Sequence, residues 1–133
     1  MNLTNLPTYD ANDYLQAVVE TPRGSSAKIA YDQDTGIFRF SRPLMLGVTY
    51  PYDCGFVPGT LAADGEPLDV IIFHDAVSFP GVVISCKAIG VVTLTQGAGD
   101  NPRDNERLIA RRSVGRRDQV GTIWKRRPHD PDT

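Results

Sequence analysis

Cysteine is nearly missing from this chain: Cys54 and Cys86 are the only two in 133 residues. They lie far apart and outside any zinc-like spacing, so they read as free thiols of a reducing compartment rather than as a disulfide framework. No apolar run approaches membrane-spanning length. The stretch from Met1 to Ala11 is polar and lacks the apolar core of a signal peptide. The expectation is a soluble, cytoplasmic protein. Helical periodicity is also scarce, since no stretch sustains it for three turns. The best short helix is Asn12 to Gln16, and the region from Asp118 to Trp124 stays undecided. Internal repeats, low-complexity segments and linkers are absent, and Pro128 onward reads as a polar tail.

What is present is ordinary globular composition, with 41% hydrophobic and 23% charged residues. That fits one domain spanning 1–133, large enough to bury a real core. Short strands with turn chemistry between them recur along the chain. Val18 to Glu20 opens an extended segment that stops at Pro22. Lys28 to Asp32 and Ile37 to Phe40 flank Asp34-Thr35-Gly36, a hairpin signal. Leu68-Asp69-Val70-Ile71-Ile72-Phe73 is β-branched and apolar, as a central buried strand should be. Val82 to Leu94 reads as one long strand bent at Gly90, and Arg107 to Ala110 as a last strand. The fold class is mainly β, a barrel or sandwich.

The net charge of −2 is unevenly spread. Residues 1–102 carry five basic and eleven acidic side chains, whereas 103–127 carry nine basic and three acidic. The basic segment either pairs with the acidic body or meets phosphate.

The sharpest motif is Asp64-Gly65-Glu66-Pro67-Leu68-Asp69. Gly65 permits a tight turn and Pro67 excludes a helix, so three acids sit on a loop entering a buried strand. Acids that close repel unless a cation lies between them. Mg²⁺ is suited to this, held by one or two carboxylates together with water and substrate phosphate. Asp-Gly is also a common hairpin turn with solvated acids beside it. Asp69 weakens that second reading, because an acid within that apolar strand is costly to bury unpaired.

The run from Tyr50 to Val70, with Tyr50-Pro51, Gly55-Phe56, Thr60-Leu61 and then the acidic hexapeptide, resembles the signature region of the soluble family I inorganic pyrophosphatases. The likeness covers about Tyr14 to Ala110. It implies a five-stranded OB-like barrel with a short peripheral helix and Mg²⁺-dependent hydrolysis of pyrophosphate. It implies Asp64, Glu66 and Asp69 as metal ligands, with Glu66 and Asp69 catalytic and Glu66 helping to deprotonate the attacking water. Glu20, Lys28, Arg42 and Arg107 would form the substrate-binding set, Glu20 standing where the family has a metal-associated glutamate. Self-association is usual among the related enzymes.

Several positions depart from the family pattern. Gln96 and Asn105 stand where two further aspartates are usual, with Asp100 and Asp104 nearby. Cys54 replaces a tyrosine, Ala30 an acid, and Glu66 an aspartate. Two other readings stay open: a phosphate- or nucleotide-binding barrel without hydrolysis, and an OB-like barrel binding nucleic acid through Arg103 to Arg127. The second is disfavoured, since the basic run has Trp124 as its one aromatic.

Overall fold

Turn residues and β-branched runs divide the chain into seven strands in the computed structural model, which describes residues 2–96 and 103–113, side chains at 94–96 and 103–105 excepted. The strands are β1 (Leu15–Thr21), β2 (Ala27–Asp32), β3 (Ile37–Pro43), β4 (Asp53–Val57), β5 (Leu68–Phe73), β6 (Val83–Gln96) and β7 (Arg103–Arg112). Five of them close a barrel in the order β1-β4-β5-β7-β6, and β6 returns to β1. Every barrel pairing is antiparallel except β5 with β7, which run parallel. The expected five-stranded barrel is therefore present. No helix among the described residues is long and apolar enough to cross a membrane.

The barrel interior holds Ala17, Val19, Val57, Val70, Ile72, Ile84, Cys86 and Ala110. Burying one Val or Ile completely contributes ~1.5–3 kcal/mol, so these strands cohere through their inward faces. The expected bend in the long strand lies where β6 shifts register against β7, between Ala88 and Gly90.

The hairpin β2–β3 forms its own two-stranded sheet. It is fastened to the barrel by the last residues of β1. The Thr21 hydroxyl donates to the Ile29 carbonyl (2.8 Å) and accepts from the Ile29 amide (3.1 Å). Glu20 Oε2 accepts from the Tyr31 amide at 2.8 Å. The Tyr31 ring stacks on Phe56 of β4, with centroids 5.5 Å apart.

One expectation is corrected and one strand is added. The segment from Asn12 to Gln16 is a turn leading into β1, not a helix. Asp10 Oδ1 accepts from the Asn12 and Tyr14 amides, and Asp13 takes a positive φ of 63°. A short acidic side chain has outcompeted the helical pattern for those amides. The peripheral helix is instead one 3₁₀ turn at Leu3–Asn5, capped by Asn2. Strand β4 was not anticipated, because Asp-Cys-Gly-Phe-Val carries no alternation. The region from Asp118 to Trp124 lies outside the described residues.

At the far end of β4 from the turn motif, Asp53 is buried at 1% exposure. It accepts from the Arg23 amide (2.6 Å), the Ser78 hydroxyl (2.7 Å) and His74 Nε2. Such a carboxylate is tolerable inside only because its lone pairs are used. The network ties β4, the end of β5 and the loop after β1 together.

Candidate active site

One cleft of about 670 Å³ opens between the β2–β3 hairpin and the barrel wall. Each of the seven residues singled out from sequence lines it. Glu20 comes from the end of β1, Lys28 and Arg42 from the hairpin, Asp64 and Glu66 from the turn before β5, Asp69 from β5, and Arg107 from β7. Lys28 and Arg42 are cross-strand partners, so two cations stand side by side. Asp69 lies between Phe56 on β4 and Arg107 on β7 in the register of the sheet. Acidic and basic side chains thus share one cavity, as a cation and a polyphosphate together would require.

The turn carrying Asp64 and Glu66 is locally fixed. Gly65 has φ 84°, the Gly65 amide donates to the Ala62 carbonyl (3.0 Å), and the Ala62 amide donates to the Glu66 carbonyl (2.7 Å). The Asp64 carboxylate accepts from the Glu66 amide at 2.9 Å. Both acids are exposed, whereas Asp69 is half-buried.

Two observations bear on charged ligands. Burial lifts the Glu20 carboxyl above the usual glutamate range, and the charges of Asp69 and Glu66 push the same way. Those carboxylates feel one another across the cleft, a repulsion that a cation would relieve. Arg107 Nε, in turn, is buried without a hydrogen-bond partner, the state of a donor facing an anion site. Among the described residues no three Asp, Glu, His or Cys groups converge closely enough to hold one ion. Asp64, Glu66 and Asp69 are therefore spread along the cleft. Such a set fits Mg²⁺, which ordinarily takes one or two carboxylates and completes its shell with water and phosphate.

The Glu20 shift has a measurable sign. Its folded pKa is raised, so the associated stability is complete below the ordinary glutamate range and is lost as pH rises through the folded value. Without metal, Glu20→Gln should melt above the wild type near neutral pH, with the gap closing toward about pH 4. The amide oxygen retains an acceptor for the Tyr31 N–H. A gap that stays constant across a thermal-melt pH series would refute this account.

Other cleft residues were not singled out as site residues. Cys54 faces the cleft, and burial pushes its thiol up to about 11, with Arg107 opposing and the carboxylates reinforcing. Without metal it stays protonated at neutral pH and is no thiolate nucleophile. Tyr50 lines the same wall, its phenol pushed up chiefly by burial. Gln33 lies in the hairpin turn and reaches Glu66; nothing in its sequence context signals this. At the far end of the β6–β7 ribbon, Gln96 pairs with Arg103 and Asn105 with Leu94. Asp100 and the basic run beyond residue 113 fall outside the described residues.

The chain is similar to inorganic pyrophosphatases by three comparisons. It is 39% identical to the enzyme of a Synechocystis strain over 73% of this chain and 57% of that one. With the Thermus thermophilus enzyme it shares 38% identity over 77% of this chain and 59% of the relative. The crystal structure of inorganic pyrophosphatase from Thermus thermophilus superposes with a TM-score of 0.74 at 34% identity, covering 88% of this chain and 66% of the other. The chain thus spans less than two thirds of the length of the curated relatives it matches. The inorganic pyrophosphatase family model matches residues 17–123, which hold the barrel but for the first two residues of β1, the hairpin and all seven charged cleft residues; this chain belongs to that family.

Proposed function

We propose that this chain hydrolyses inorganic pyrophosphate to two orthophosphates with Mg²⁺ as cofactor. The observation that carries the reading is the joint presence of four carboxylates and three cations in one cleft. Family membership supports it. Lys28 and Arg42, adjacent across the hairpin, bind the phosphate that leaves. Arg107 binds from the barrel side, where its buried Nε gains a partner. When bound, Mg²⁺ withdraws charge from the phosphates and acidifies water. Asp64, Glu66 and Asp69 are spread along the cleft, so one or two of them would hold an ion at a time, Asp69 from the strand and the others from the turn. Glu66 takes a proton from the attacking water. The water oxygen bonds to one phosphorus, the bridging P–O bond breaks, and the leaving phosphate takes up through solvent the proton that Glu66 removed, which restores the carboxylate. Glu20 balances the cations at the hairpin, next to Lys28 in the cleft.

Phosphate release from pyrophosphate by the purified chain is the direct test. Release with Mg²⁺ and its loss with EDTA are expected. No release at any Mg²⁺ concentration in the millimolar range would overturn the proposal, and would leave a barrel that at most binds phosphate.

A further inference from the structure

The turn that fixes the Glu66 main chain does not fix its side chain. Both backbone groups of Glu66 are engaged, the amide by Asp64 Oδ1 and the carbonyl by the Ala62 amide. The exposed side chain still has three rotatable bonds, one more than an aspartate at the same place. Left alone, such a carboxylate samples many positions, and a misplacement of about 1 Å can cost on the order of a hundredfold in rate. In the structure one neutral donor removes that freedom: Gln33 Nε2 donates to Glu66 Oε2 at 2.7 Å, from an element 33 residues away in sequence. Gln33 itself lies in the turn between β2 and β3, beside Asp32, whose carboxylate is ion-paired with Arg39 at 2.9 Å. Both Gln33 and Glu66 line the cleft.

We infer that Gln33 is a positioning residue, holding the Glu66 carboxylate in the cleft so that it can serve the cation and the attacking water. A neutral amide suits this task. A cation in its place would compete with the metal for the carboxylate, and an acid would repel it. The contact also links the hairpin that carries Lys28 and Arg42 to the turn that carries the acids. The inference rests on the proposed metal-dependent hydrolysis.

The test is a double-mutant cycle on the full chain with Gln33→Met and Glu66→Asp, read by calorimetric titration with Mg²⁺ and by steady-state pyrophosphate hydrolysis. Methionine matches the length of glutamine and removes the whole amide, the donor to Glu66 included. Gln33→Met should weaken Mg²⁺ binding about tenfold, the lower end for partners that orient a metal ligand. Its kcat should fall about tenfold with KM within about twofold, since a group that orients a reacting residue adds little to ground-state binding. In the Glu66→Asp background, where the shorter side chain cannot reach, Gln33→Met should change neither quantity. A Gln33→Met protein equal to wild type overturns the inference, as does an equal loss in both backgrounds, which would mean that Gln33 acts elsewhere. A wild type that neither binds Mg²⁺ nor releases phosphate overturns the site reading and this inference together, and is distinguished because the parent itself fails.

Discussion

Asp69→Asn is expected to reduce Mg²⁺-dependent pyrophosphate hydrolysis by roughly a hundred- to a thousandfold while leaving the barrel intact. Asp69 is the half-buried carboxylate of the three, held on β5 between β4 and β7 by backbone pairing on both sides. Its main chain is held by strand pairing on both sides, whereas Asp64 and Glu66 stand on an exposed turn. Asparagine has the same shape but no charge, so a cation loses a formal ligand charge rather than a strand residue. A metal's charge stabilisation is worth several kcal/mol, and each 1.36 kcal/mol is about tenfold in rate. The same change at Asp64 should cost less. Circular dichroism should be unchanged, and the loss should not be recovered by raising substrate concentration. Wild-type turnover in Asp69→Asn would show that the cation is held elsewhere.

The second large effect concerns Gly55, in the middle of β4. A Cβ there would meet the Val18 carbonyl oxygen at 1.8 Å and its carbonyl carbon at 2.8 Å. Both are main-chain atoms of β1, the pairing partner, so no rotamer change relieves the overlap. Gly55→Ala must spread β1 from β4, at the seam that positions Glu20 and Cys54. Overpacking of this kind costs ~3 kcal/mol or more, against a total stability of roughly 5–15 kcal/mol. The melting temperature should fall by about 10 °C or more. Gly90→Ala is the matched control, because a Cβ at Gly90 meets nothing within 4 Å and its φ is not positive. It should melt within about 2 °C of wild type. Equal behaviour of the two alanine variants would contradict the close approach of β1 and β4.

Local chemistry made much of this legible in sequence. The hairpin was readable because Asp34-Thr35-Gly36 separates two strand-like runs, and Gly36 does take a positive φ of 73°. Strand β5 was readable because Val70, Ile71 and Ile72 are apolar in succession, and all three are buried. The acidic hexapeptide was readable because Gly65 and Pro67 force a turn where charges crowd. Glu20, Lys28, Arg42 and Arg107 had no local signal of their own, and came from the family resemblance alone.

Tertiary structure decided the rest. Strand β4 has no amphipathic period, and its glycine records the nearness of a strand more than thirty residues earlier. The parallel pairing of β5 with β7 puts Arg107 opposite Asp69, yet parallel partners are set by the path of the intervening chain rather than by any residue pattern. The Asp53 network joins residues from Arg23 to Ser78, and burial rather than sequence makes its three hydrogen bonds obligatory. The Gln33 contact belongs to the same class, since a glutamine in a turn is unremarkable until the fold lays a carboxylate against it. The sequence by itself determined which residues carry charge and where the chain must turn. Only the fold brought those charges to one cleft, because convergence depends on distances across strands, and no spacing along the chain encodes them.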